Sequence, residues 1–258
     1  MESKRHKQTL NPEISRGIAV VATGDYNMYV NDLIKSAHKF FRCHVYLFTD
    51  RPEDYAHFND ITTIKTPHIG WPAMPLLRFE LFNRHKDLFK EDYMFLMDAD
   101  VEFVQPVTDD ILKLRVACLH RNIMRMRKDF NYETRKASTA YIAGNEGEKY
   151  YACAWSGGQL REFKIMLETV SGNIRADIEK GVRAIWGDES HINRFFIDRK
   201  PHLVLPPSYM CPENNRHFIP IVTHQNKPFK SVFLGDVEKH KKIDKAEYEQ
   251  YLDLFDRS

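Results

Sequence analysis

Short apolar runs alternate along the chain with longer segments whose apolar residues recur at helical spacing. In the first hundred residues, β-rich apolar runs predict four strands, at 18–23, 44–50, 60–66 and 93–100. Between them, the apolar spacing predicts helices over 28–41 and 74–89. Strands that alternate with helices favour a mostly parallel sheet with right-handed crossovers.

The second half of the chain continues the alternation less regularly. Strands are predicted at 115–120 and 148–155, and helices at 158–171 and 188–197. No internal repeat or low-complexity linker divides the chain, so we expect a single α/β domain: a Rossmann-like, mostly parallel sheet flanked by helices. In such sheets, ligands bind beyond the carboxyl ends of the strands.

Composition excludes several functional classes. The 258 residues are 43% hydrophobic and 29% charged, and the net charge of +2 does not indicate a nucleic-acid partner. No run approaches the roughly 18 apolar residues of a membrane span, and the polar, basic N-terminus is unlike a secretory signal. We therefore expect a cytoplasmic protein with no transmembrane segment. Its scattered cysteines lack metal-finger spacing and are expected to be buried free thiols: Cys43, Cys118, Cys153 and Cys211.

Two aspartates follow the predicted strand "YMFLM", which is apolar enough to be buried on both faces. Carboxylates at Asp98 and Asp100 can converge on one divalent cation, and oxygen ligands suit Mg²⁺ or Mn²⁺. A simple acidic turn is the alternative for an isolated pair of this kind. Phosphatases of the haloacid dehalogenase type share the layout, but they need Thr or Val where this chain has Glu102.

A second polar cluster lies in "AIWGDESHIN", where Trp186 is followed by Asp188 and Glu189. Helix capping explains one acidic residue there. A tryptophan beside two carboxylates is typical of a sugar site, where the ring packs on the pyranose and the carboxylates accept its hydroxyls.

Three further stretches carry weaker signals. The small residues in "YYACAWSGG" (150–158) allow a ligand close to the backbone or a tight core strand. "NYETRKASTAYI" (131–142) is consistent with a lid or a solvated connection. The basic segment "HQNKPFK" (224–230) predicts a solvated face unless a diphosphate lies nearby.

Several of these stretches, in this order, resemble glycosyltransferase family six, the family of the blood-group A and B transferases and the α-1,3-galactosyltransferase. The similarity covers about residues 17–230 through "YLFTD", "MDADVEF", "YETR", "STAYI", "SGG", "IWGDESHIN" and "NKP". The resemblance implies a GT-A fold in a compact, anchorless bacterial-type or viral-type member that retains its DxD motif. It also implies retaining transfer of galactose or N-acetylgalactosamine from a UDP-sugar to a β-galactoside-type glycan in α-1,3 linkage.

The resemblance also implies roles for individual residues. Glu189 matches the carboxylate under the reacting carbon, and Asp98 and Asp100 match the ligands of Mn²⁺, with Mg²⁺ as a substitute. His120 and Trp186 match acceptor contacts. The remaining matches are to donor-binding positions: Val21, Thr23, Tyr26, Arg78, Asp98, Ala99, Asp100, Ala152, Ala154, Asp188 and Lys227.

The departures from the family pattern fall on the acceptor side, where Gly187 and Asn131 replace a histidine and a threonine. On the donor side, alanine at position 154 favours galactose over the N-acetylated sugar, while Ala152 leaves extra room. Glu189 is expected either to attack the sugar as a nucleophile or to stabilise its cation.

The domain boundaries that follow are a disordered lead at 1–16, a catalytic domain at 17–235 and a charged, helical tail at 236–258. The alternative function is a non-catalytic protein of the same fold that binds UDP-sugars or glycans. Loss of Glu189 or of the DxD motif would favour that alternative, and this chain keeps both.

Overall fold

The computed structural model describes residues 10–120, 127–214, 217–227 and 244–256. Its strands within these ranges are, in chain order, β1 Arg16–Ala22, β2 His44–Thr49, β3 Ile61–Lys65, β4 Tyr93–Met97, β5 Val101–Phe103, β6 Arg115–Leu119, β7 Tyr151–Gln159, β8 Leu203–Leu205, β9 Cys211–Pro212 and β10 Val222–His224. The α-helices are α1 Asn27–Phe40, α2 Ala73–Arg84, α3 Leu160–Glu179, α4 Asp188–Asp198 and α5 Lys245–Phe255.

Seven strands form the main sheet, in the spatial order β3-β2-β1-β4-β7-β6-β8. The pairs β3–β2, β2–β1, β1–β4 and β6–β8 are parallel, whereas β7 runs antiparallel to both β4 and β6. A smaller sheet in the order β5-β10-β9 follows directly from the end of β4. The predicted α/β class and the mostly parallel, helix-flanked sheet of a single GT-A-like domain are confirmed.

Hydrophobic packing covers both faces of the main sheet. One core joins the sheet to α2, α3 and α4 and includes Tyr248 and Phe255 of α5. The other buries the apolar side of α1 and surrounds Trp155, whose ring meets Phe41, Phe95 and Phe103 edge-on or tilted. Because β4 lies between β1 and β7, its residues 94–97 are buried on both sides, as the apolar run predicts.

The centre of the sheet depends on a close approach of β7 to β4. A Cβ atom at Gly157 would lie 2.2 Å from the carbonyl oxygen of Met94, so glycine is required for the two strands to pair. All four cysteines are buried free thiols, as predicted. The predicted lead at 1–16 and the boundary near 235 fall largely outside the described residues.

Candidate active site

The two aspartates lie where the carboxyl end of β4 turns into β5. Asp98 has a side chain that is 26% exposed, whereas that of Asp100 is only 1% exposed. Strand β1 is parallel to β4, so its own carboxyl end brings Val21 and Thr23 to the same edge of the sheet. The Oγ1 atom of Thr23 lies 3.0 Å from Nδ1 of His68. Ala99, between the aspartates, is buried in the core beside α1.

Arg78 of α2 joins the aspartate turn to the start of α4. One guanidinium nitrogen lies 2.5 Å from Oδ1 of Asp98, and another lies 2.6 Å from Oδ2 of Asp188. Burial by itself would raise the pKa of Asp98, but the positive charges of Arg78 and His224 hold it well below its usual value. Burial raises the pKa of Asp188, and Arg78 opposes that rise. Arg78 thus links two acidic clusters that the sequence separates widely.

Asp100 is held by two cationic side chains from the segment that contains β10. His224 Nε2 lies 3.1 Å from Oδ1 of Asp100 and 3.5 Å from Oδ2 of Asp98. Lys227 Nζ lies 3.1 Å from Oδ2 of Asp100 and donates a 2.9 Å hydrogen bond to the hydroxyl of Tyr26. Burial would lower the pKa of His224, but the two carboxylates raise it to about 9.

The same residues could hold a divalent cation. Asp98, Asp100 and His224 each offer one ligand atom, and these atoms lie within 4.8 Å of one another. Two carboxylates and an imidazole form a donor set that Mn²⁺ accepts. Asp100 Oδ2 is buried and makes no well-directed hydrogen bond, as a ligand oxygen would in the absence of its cation. The side chains present therefore fit a metal.

Glu189, in the first turn of α4, is a partly buried carboxylate. Its Oε1 accepts a 2.7 Å hydrogen bond from the hydroxyl of Tyr150, and its Oε2 accepts a 3.3 Å bond from the backbone N–H of Cys153. Burial raises its pKa to about 7, although the hydrogen bond from Tyr150 lowers it and the neighbouring charge of Asp188 raises it. A carboxylate with this pKa is only half ionised at neutral pH, which is typical of a functional site.

The backbone that contacts Glu189 belongs to an irregular part of β7. The register between β6 and β7 shifts from Ala117 opposite Ser156 to Cys118 opposite Ala152, so residues 153–155 have no partner on β6. Ala152 and Ala154, both buried, flank the amide that reaches Glu189. On the other side of Tyr150, the ring of His120 packs edge-on at 5.5 Å.

Trp186 lies on the turn that leads into α4, two residues before Asp188. Its backbone N–H donates to Ser190 Oγ at 3.1 Å, and Gly187, at φ 55° and ψ −126°, turns the chain into the helix. The turn is also supported by Glu133, which accepts from the N–H of Ile185 at 2.8 Å. Arg135, paired with Glu133, donates to the carbonyl of Arg183. The "YETR" stretch thus positions the tryptophan turn.

Because His224 contacts both Asp98 and Asp100, the contacts join seven of the sequence-predicted residues into one continuous polar site: Tyr26, Lys227, Asp100, Asp98, Arg78, Asp188 and Glu189. A family model described as glycosyltransferase family 6 matches residues 4–225. The chain belongs to this family.

The chain is also similar in sequence to several named transferases. The family 6 chain is 33% identical over 226 residues to globoside alpha-1,3-N-acetylgalactosaminyltransferase 1 of Homo sapiens, a match that covers 78% of this chain and 65% of the relative. The Mus musculus protein of that name is 34% identical over 221 residues, covering 80% and 63%. Histo-blood group ABO system transferase 2 of Rattus norvegicus is 29% identical over 209 residues, covering 75% and 62%. The chain thus spans less than two thirds of the length of these relatives.

The sequence did not predict the roles of two residues that contact the carboxylates of the site. Tyr150 appeared only as part of an aromatic stretch, and His224 only as part of a basic patch. His224 is the last residue of a three-residue strand, which is too short to show a period. The available signal was a histidine three residues before Lys227, which already had a candidate role.

Within the described ranges, none of the helices combines the length and the apolarity that a membrane span needs.

Proposed function

We propose that this chain is a retaining hexosyltransferase that moves galactose or N-acetylgalactosamine from a UDP-sugar to a β-galactoside-type acceptor. The new bond is an α-1,3 linkage, and the reaction depends on Mn²⁺. The observation that carries the proposal is the bridge of Arg78 between Asp98 and Asp188. In this proposal, the bridge joins the carboxylate that would help to bind the diphosphate to the carboxylate that would bind the donor sugar. The relatives named above, which are transferases of N-acetylgalactosamine and of the ABO system, support the reaction class.

The leaving group is the diphosphate, on which negative charge grows as the bond to the sugar breaks. Asp98 and Asp100 would hold Mn²⁺, which would supply Lewis-acid stabilisation of that charge. Lys227, which pairs with Asp100, would contribute a further positive charge. Its hydrogen-bond partner Tyr26 would contact the uridine together with the backbone near Val21 and Thr23.

The sugar itself develops positive charge at its reacting carbon. Glu189 would either stabilise this positive charge or attack the reacting carbon as a nucleophile. Asp188 and Arg78 would bind the sugar hydroxyls. The amide of Cys153 and the hydroxyl of Tyr150 fix the orientation of Glu189. Trp186 and His120 would receive the acceptor, and the buried Ala152 and Ala154 would limit the size of the group at C2 of the donor.

The proposal is tested by measuring UDP release from UDP-galactose and UDP-N-acetylgalactosamine over a panel of β-galactosides, with and without Mn²⁺. We expect acceptor-dependent release with Mn²⁺ and an α-1,3-linked product by NMR. Donor binding without release from either sugar would instead favour a non-catalytic UDP-sugar-binding protein.

The pKa of Glu189 predicts how the rate depends on pH. If the ionised carboxylate is the reactive form, kcat/KM for the donor falls about tenfold per pH unit below about pH 7 and is flat above it. In Tyr150→Phe the acid limb moves to higher pH, because the hydrogen bond that favours the ionised form is lost. Rates are measured at saturating Mn²⁺, with Tyr251→Phe on α5 as the control. Superimposed profiles of Tyr150→Phe and the wild type would contradict the assignment.

The donor sugar is predicted to depend on Ala154. Removing its methyl group in Ala154→Gly makes room for an N-acetyl group, so the kcat/KM ratio of the N-acetylated donor to UDP-galactose rises about tenfold. Ala117→Gly, which removes a buried methyl group from the neighbouring β6, is the control for loss of packing and leaves the ratio unchanged. An unchanged ratio in Ala154→Gly would show that another residue selects the donor.

A further inference from the structure

We infer that His224 is a third protein ligand of the divalent cation, and that its imidazole nitrogen makes the site select Mn²⁺ over Mg²⁺. The inference rests on the proposed function, because it concerns the cation held by Asp98 and Asp100. It adds a residue that the acidic motif does not contain.

The distances match those expected between neighbouring ligands of one cation. With metal–ligand bonds of about 2.1 Å, adjacent ligands of an octahedral cation lie about 3 Å apart. His224 Nε2 lies 3.1 Å from Oδ1 of Asp100 and 3.5 Å from Oδ2 of Asp98. Both distances are close to the separation expected for a shared cation, and all three ligand atoms lie within 4.8 Å of one another.

The contact between the imidazole and the carboxylates is not a well-directed hydrogen bond. His224 Nε2 is buried, yet it makes no hydrogen bond of acceptable geometry, although a carboxylate oxygen lies only 3.1 Å away. A buried imidazole nitrogen that lies near two carboxylate oxygens without a well-directed hydrogen bond to either is placed to share a cation with them.

Backbone pairing fixes the position of His224. Strand β10 pairs antiparallel with β5, which sets His224 opposite Val101, the residue that follows Asp100. The N–H of Gln225 then donates to the carbonyl of Asp100 at 2.8 Å. The ligand atoms therefore come from two paired backbone segments, and only side-chain torsions remain free.

Binding of the cation displaces the proton of His224 Nε2, and the nitrogen ligand then changes which cation the site prefers. Mg²⁺ is usually bound through carboxylates and water, whereas imidazole suits transition metals. Lys227 acts in the opposite sense, since its ammonium group beside Asp100 cannot ligate and repels an incoming cation. Substitutions of His224 and of Lys227 are therefore expected to have opposite effects on cation binding.

The test is Mn²⁺ titration followed by EPR in the absence of nucleotide, with Mg²⁺ as competitor, on the full chain. Wild type should show ¹⁴N modulation from a coordinated imidazole in pulsed EPR. His224→Gln should lose this modulation, bind Mn²⁺ about tenfold more weakly and bind Mg²⁺ within about threefold of wild type. Lys227→Met should bind Mn²⁺ several-fold more tightly, and His202→Gln, at an exposed histidine, should match wild type.

Several outcomes would overturn the inference while leaving the proposed function intact. One is the absence of ¹⁴N modulation in the wild type, and another is its persistence in His224→Gln. The third is a ratio of Mn²⁺ affinity to Mg²⁺ affinity that is the same in His224→Gln as in the wild type. In each case the wild type would still release UDP normally. Conversely, ¹⁴N-coordinated Mn²⁺ in a chain that releases no UDP from either sugar donor would support the inference and reject the transferase. Thermal melting of each variant separates loss of a ligand from loss of folding.

Discussion

Replacing Glu189 with glutamine is expected to lower kcat by about 10²–10³-fold or more, while the KM for the donor changes little. The reason is that the carboxylate meets positive charge that exists only as the bond to UDP breaks. Glutamine keeps the size of the side chain. Its one oxygen can accept from the backbone N–H of Cys153 while its NH₂ group donates to the hydroxyl of Tyr150, so the packing around α4 is retained. Steady-state kinetics with saturating Mn²⁺ and acceptor measure both constants.

Glu168→Gln, at an exposed glutamate of α3, is the matched control and should behave as wild type. A Glu189→Gln variant with nearly normal kcat would remove this residue from the chemistry. Mass spectrometry of the wild type with a slow fluorinated donor then separates the two roles of Glu189, since only nucleophilic attack leaves a sugar covalently attached to it.

Replacing Asp100 with asparagine is expected to abolish Mn²⁺-dependent turnover and to weaken UDP-sugar binding in Mn²⁺ about 100-fold or more. The side chain of Asp100 is 1% exposed and faces His224 and Lys227, so loss of its charge also leaves those cations unbalanced. In the wild type, EDTA should remove activity and added Mn²⁺ should restore it. Calorimetric titration of UDP-sugar with and without Mn²⁺ measures the loss of affinity.

Asp87→Asn, at a side chain that is 91% exposed, controls for a change of net charge and should leave both measurements unaltered. Full wild-type activity in excess EDTA would show that the reaction needs no metal bound by Asp98 and Asp100. Unchanged donor affinity in Asp100→Asn would lead to the same conclusion.

The spacing of apolar residues along the sequence predicted the helices and strands that bury a regular apolar face. The helix predicted over 28–41 is α1 to within a residue at each end, because its stripe faces one core. The strand predicted at 148–155 instead continues to Gln159 as β7. Its glycines suggest a break when read locally, yet they are what permit pairing with β4, a contact across a long sequence separation.

The site was predictable to the extent that its chemistry lies in short motifs. Asp98 and Asp100 follow the apolar strand β4, and Asp188 and Glu189 begin the amphipathic helix α4. The pairing of His224 with Asp100 instead depends on strands of only three residues. Register between such short strands is set by tertiary contacts rather than by periodicity. The hydrogen bond from Tyr150 to Glu189 likewise joins two elements that no local pattern connects.

The glycine that lets β7 lie against β4 has a consequence for the history of such chains. Any side chain at position 157 would push apart the strand that delivers Asp98 and the strand whose amide holds Glu189. Substitutions at the rim of the site can change the donor, the acceptor or the use of a metal while the pairing of β7 with β4 stays the same. We therefore expect lineages that diverge in substrate, or that lose activity altogether, to retain glycine there after the acidic motif has been replaced.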